Sequence, residues 1–157
     1  MHFPPTTLAI DYGTRRIGVA ISRASLVEPL TVLHIPQPVT TTTKNDGTLQ
    51  QESLDFVLAA LKKIIEDESV KRLVVGVSEG TMAAASRSFG ELLSQHTLLP
   101  VSFVDETLTS QVVEQKMREV RKSYIFRPTH GKSSQKALDH YAAAEILEAF
   151  LEMEDEA

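Results

Sequence analysis

The 157 residues, 42% hydrophobic and 24% charged, suit one folded domain around one core and are too few for a two-domain kinase or dehydrogenase. There is no cysteine, which excludes disulfides, cysteine-ligated zinc and thiol catalysis. The formal net charge of −5 argues, at face value, against a nucleic-acid partner.

In chain order, Thr6 to Asp11 is a short apolar run closed by an acid, and Ile17 to Ile21 is a second apolar run. The intervening Asp11-Tyr12-Gly13-Thr14-Arg15-Arg16 makes the pair a β-hairpin. Leu30 to Ile35 reads as a third strand, and Pro36 to Thr48, with two prolines and five threonines, as a long polar loop. A helix is predicted from about Leu49 to Glu68, because Leu54, Val57, Leu58, Leu61, Ile64 and Ile65 fall on one face. Arg72 to Val77 reads as a buried strand, and Thr81 to His96 as a second helix with Phe89, Leu92 and Leu93 inward. Pro100 to Asp105 is the fifth strand, Thr109 caps a third helix, and Ser123 to Ser134 is a loop. The last helix runs from Ser134 to about Glu152, with an acidic tail beyond. Short links between the first three strands suggest antiparallel pairing, and helical links to the last two suggest parallel crossovers. The expected fold is α/β: a five-stranded mixed sheet with helices on both faces.

The charge is unevenly placed. Glu145 to Ala157 holds six acids and no Lys or Arg. Lys116 to Lys136 holds Lys116, Arg118, Arg121, Lys122, Arg127, Lys132 and Lys136 against Glu119 alone, with His130 besides. A solvated helix face and loop would account for that stretch, and so would a basic arm that touches phosphates. No apolar run approaches the roughly 18 residues of a membrane helix. The start, Met1 to Pro5, has neither a basic residue nor a signal-like stretch, so the expected compartment is the cytoplasm.

Four places carry acids with chemical potential. Asp11 ends the first strand, where Asp and Gly can also simply make the turn. Asp105 and Glu106 end the fifth strand, where an acid also suits a following helix N-terminus. Asp139 shares a helix face with Ala142, Ala143, Ile146 and Phe150, so it is costly there unless it is compensated or at the rim. Glu79 is a fifth acid near the same edge or a helix-start residue, the second being preferred. With the first, fourth and fifth strands parallel, Asp11 and Glu106 fall at their carboxyl edge, where open α/β sheets place ligands. Crowded carboxylates need a counter-charge, and hard oxygen donors favour Mg²⁺ or Mn²⁺. Two such ions roughly 4 Å apart suit hydrolysis of a nucleic-acid backbone.

Four blocks in this order resemble the YqgF/RuvX family of RuvC-like proteins: Leu8-Ala9-Ile10-Asp11-Tyr12-Gly13 with Arg16-Ile17-Gly18-Val19-Ala20; Val74-Val75-Gly76; Asp105-Glu106-Thr107-Leu108-Thr109-Ser110; and Asp139 with Ala142-Ala143 and Ile146-Leu147. The resemblance spans roughly Leu8 to Leu151 and implies a ribonuclease H-like fold. It implies a metal-dependent nuclease on pre-16S ribosomal RNA or, alternatively, a Holliday junction resolvase. Asp11, Glu106 and Asp139 would be the catalytic, metal-binding acids, with Asp105 as a further candidate ligand. Arg16, beside the first acid, would contact phosphate or hold the hairpin. With that reading the basic arm, through Arg121, Lys122, Arg127, His130 and Lys132, becomes the expected nucleic-acid contact. Two departures stand near the site: Val77-Ser78-Glu79-Gly80 replaces the family's Leu-Pro and longer loop, and Thr107 replaces its Arg.

Other functions make different demands. Junction resolution needs two active sites and hence a homodimer. Asp11-Tyr12-Gly13-Thr14 resembles the phosphate loop of actin-like ATPases, but those bind nucleotide between two domains. A catalytically silent ribosome-assembly factor would bind no metal.

Overall fold

A computed structural model describes residues 3–36, 48–106 and 133–156, the side chains of 133–140 excepted. The strands are β1 (Thr7–Asp11), β2 (Arg16–Arg23), β3 (Leu26–His34), β4 (Arg72–Val77) and β5 (Val101–Asp105). The helices are α1 (Gln51–Asp67), α2 (Thr81–Thr97) and α3 (Ser133–Asp155). The sheet order is β3-β2-β1-β4-β5. β1–β2 and β2–β3 are antiparallel, whereas β1–β4 and β4–β5 are parallel, as the connection lengths predict.

The third strand begins at Leu26, not Leu30. Arg23 pairs with Leu26, so Ala24 and Ser25 form a two-residue turn, with φ of 48° and 71°. Positive φ at both positions matches the right-handed twist of a hairpin, although neither residue is the glycine or asparagine that signals such a turn. Pro29 is tolerated because β3 lies at the sheet edge. Val19 pairs with Thr31 and Ala20 with Pro29, which leaves Leu30 as a bulge.

Each strand alternates between two cores. Leu8, Ile10, Ile17, Val19, Ile21, Leu73 and Val75 face α1 and α2, joining Val57, Leu61, Phe89 and Leu93. Ala9, Ala20, Val74 and Val104 face α3, joining Ala143, Ala144, Ile146 and Leu147. The alanines on both sides let α3 lie close to the sheet.

Arg72, at the start of β4, fastens the far end of α3. Its guanidinium makes a two-pronged contact with Glu154, lies 4.9 Å from the Phe150 ring centroid, and donates from Nε to Thr7 Oγ1 at 2.7 Å. The acidic segment expected as a tail is therefore helical through Asp155 and held by Arg72. Because Ile146 lies by Gly76 and Glu154 by Arg72, α3 runs antiparallel to β4. Among the described residues no helix is long and apolar enough to cross a membrane. The expected third helix from Thr109, the loop to Ser134 and the whole basic arm lie outside the described residues or side chains.

Candidate active site

The carboxyl ends of β1, β4 and β5 share one sheet edge, because the three strands are parallel neighbours. Alternation along β1 sends Tyr12 to the α2 face, where it is buried and stacked on Phe89 with ring centroids 4.7 Å apart. It sends Asp11 to the α3 face, beside Ala9. Along β5, Val104 is on the α3 face and Glu106 returns to it, whereas Asp105 is exposed.

Asp11 and Glu106 meet side chain to side chain through a hydrogen bond. Burial pushes the Glu106 carboxyl above the ordinary carboxylate range, the bond with Asp11 draws it back, and the charge of Asp105 pushes it up again. Asp105 thus acts on Glu106 through its charge.

β4 supplies the floor between the two acids. A Cβ built on Gly76 would stand 2.8 Å from Glu106 Oε1 and 2.4 Å from Ile146 Cδ1. Glu106 therefore lies directly over the β4 backbone, with α3 closing over it. Sequence reasoning had Gly76 only as part of a strand motif. A glycine inside an apolar strand was the available signal, since it marks a close approach.

The β1–β2 hairpin forms the other wall. A cleft of ≈ 260 Å³ is lined by Asp11, Tyr12, Gly13, Thr14, Arg15, Arg16 and Gly18. The turn is tight: a Cβ on Gly13 would lie 2.5 Å from the Arg16 carbonyl oxygen. Ile35 N donates to the Arg15 carbonyl at 2.9 Å, tying the turn to the end of β3. Arg16 opens β2 and lines the same cleft as Asp11.

Glu79 is exposed in the bend before Gly80, outside α2, so it is not a first-turn acid of that helix. Asp139 belongs to α3, four and seven residues before Ala143 and Ile146, and its side chain lies outside the described part. Thr107, Arg121, Lys122, Arg127, His130 and Lys132 lie outside the described residues. Among the described residues no cluster of three His, Cys, Asp or Glu side chains forms a metal-binding group. The donor set that is described, the neighbouring carboxyls of Asp11 and Glu106, fits a hard divalent cation.

A mixed five-stranded sheet in this order, with paired acids at its carboxyl edge, defines a RuvC-like, ribonuclease H-like fold. The structure of T. thermophilus RuvC in complex with Holliday junction substrate aligns with a TM-score of 0.56 at 15% identity, covering 98% of both chains. A second Thermus thermophilus RuvC structure aligns with a TM-score of 0.52 at 12% identity, covering 90% of each. The family profile "RuvX: Holliday junction resolvase" matches residues 5–153, and the chain belongs to that family. It is 34% identical over 155 residues to the "Putative pre-16S rRNA nuclease" of Dechloromonas aromatica, covering 94% of this chain and 90% of the relative. It is also 34% identical to the protein of the same name from Chromobacterium violaceum, covering 92% and 96%.

Proposed function

We propose that this protein is a divalent-metal-dependent endonuclease that hydrolyses phosphodiester bonds of structured nucleic acid, with pre-16S ribosomal RNA as its substrate. The observation that carries this reading is the Asp11–Glu106 carboxyl pair, with Glu106 above Gly76, at the sheet edge where open α/β sheets place ligands. The relatives' name supplies the RNA class.

In this reading Asp11 and Glu106 hold Mg²⁺ or Mn²⁺, with Asp139 as the third ligand from α3. When bound, a pair of such ions supplies an activated water and stabilises the leaving oxygen. With both carboxyls ionised, Asp11 and Glu106 would offer the cation their oxygens. Arg16, on the cleft wall, orients the phosphodiester by its charge and fork of donors. The basic arm, through Arg121, Lys122, Arg127, His130 and Lys132, holds the flanking phosphates and offsets the overall negative charge. A cytoplasmic location suits that substrate.

The test is cleavage of a pre-16S rRNA fragment, single-stranded RNA and a four-way DNA junction, with and without Mg²⁺. Wild type is expected to cut the pre-rRNA only with the cation. Asp11→Asn and Glu106→Gln should lose at least about a hundredfold in rate, beyond the loss typical of residues behind the ligands. Preference for the junction would transfer the substrate assignment to DNA, and equal cutting by the variants would refute the site.

A further inference from the structure

Gly76 lies on β4 beneath the Glu106 carboxyl, an unusual place for a glycine. Valines flank it at 75 and 77, and the strand is interior, between β1 and β5. A glycine inside a strand gives up side-chain packing and is entropically unfavourable by roughly 0.5–1 kcal/mol relative to alanine. Nothing in the backbone requires it, since Gly76 pairs regularly with Val104 across the β4–β5 ladder. The reason lies in what stands over it.

A Cβ at position 76 would meet Ile146 Cδ1 at 2.4 Å, Ile146 Cγ1 at 3.0 Å and Glu106 Oε1 at 2.8 Å. The two neighbours are not equivalent. Ile146 Cδ1 is the end of an aliphatic side chain, and rotation or shortening relieves it. Glu106 Oε1 belongs to the carboxyl that bonds Asp11. Moving it by the few tenths of an ångström that a methyl group demands changes its relation to Asp11. We propose that Gly76 is a positioning residue: its missing side chain lets the Glu106 carboxylate lie on β4 and sets its spacing from Asp11 for a divalent cation. This inference rests on the reading of Asp11 and Glu106 as the cation site.

The experiment separates packing from positioning. Mn²⁺ affinity is measured by calorimetry, and thermal melting in parallel, for wild type, Asp11→Asn, Ile146→Val and the double variant Gly76→Ala/Ile146→Val. Ile146→Val removes Cδ1, the atom nearest to the added methyl, so the double variant keeps mainly the conflict with Glu106. Gly76→Ala/Ile146→Ala removes both Ile146 atoms and serves if the first double variant does not melt cooperatively. Ile146→Val is expected to bind Mn²⁺ as wild type does. The double variant is expected to melt near Ile146→Val yet bind Mn²⁺ about tenfold or more weakly, the loss found when a residue orienting a ligand is altered. Affinity equal to that of Ile146→Val overturns the proposal while a weakened Asp11→Asn leaves the site reading standing. Undiminished Mn²⁺ binding by Asp11→Asn removes both.

Discussion

The two faces of the sheet are built from different residues for different ends. The α1/α2 face is lined by large branched side chains, with Leu8, Ile10, Ile17, Ile21, Leu61, Leu73 and Leu93 fully buried. The α3 face mixes Val74, Val104, Ile146 and Leu147 with the small residues Ala9, Ala20, Ala143 and Ala144, and has Gly76 beneath Glu106 and Gly18 paired with Asp11. Large side chains remove much apolar area from water and supply most of the stability. Small ones give up that area and let a helix and two carboxyl groups approach the sheet. The difference teaches where stability and chemistry are separated in a small fold: one face holds the sheet together, and the other brings acids into contact at its edge.

Substitutions in opposite directions sharpen that contrast. Leu8→Ala empties space on the α1/α2 face and is expected to destabilise by about 3 kcal/mol in urea unfolding. Ala143→Leu adds volume where α3 meets the sheet, and overpacking there should destabilise by roughly 1–3 kcal/mol. The α3 face should also lose far more Mn²⁺ affinity per unit of lost stability than the α1/α2 face. If Ala143→Leu is tolerated as well as an exposed change, the close approach of α3 is not a packing requirement. Arg72→Met releases Glu154 at the opposite end of α3 and should lower stability by about 1 kcal/mol, since the pair is partly exposed and only the guanidinium is well covered.

The smallest effect is set by pH. The Glu106 carboxyl is raised above its unfolded value by burial, so folding favours its protonated form. Stability from this group is fully present below the unfolded carboxylate range and is lost as pH rises through the raised value. Metal-free wild type should therefore fall behind Glu106→Gln in melting temperature as pH rises from acid to neutral. A constant difference between the two would mean that Glu106 titrates as an ordinary carboxylate.

Much of this was legible in the sequence for simple reasons. Apolar spacing located α1 and α2 to within two residues, and connection lengths gave the mixed sheet. Asp11 and Glu106 were legible because strand ends and parallel pairing place them at one edge. The start of β3 was not, because Glu28-Pro29 looks like a loop and the Ala24-Ser25 turn lacks the usual residues. Gly76 was not legible as part of the site, because its role depends on α3 and β5 arriving over β4 from distant parts of the chain. The fate of Glu79 followed from Gly80, whose φ of 76° stands between the acid and the first turn of α2.

If the Asp11–Glu106 pair holds a divalent cation, it is strained by charge without one. Thermal melting of wild type and Asp11→Asn at neutral pH, with and without Mg²⁺, tests it most directly. Without the cation Asp11→Asn is expected to melt at or above wild type, and Mg²⁺ is expected to raise wild type alone. An equal Mg²⁺ shift in both, or a lower melting temperature for cation-free Asp11→Asn, would contradict it.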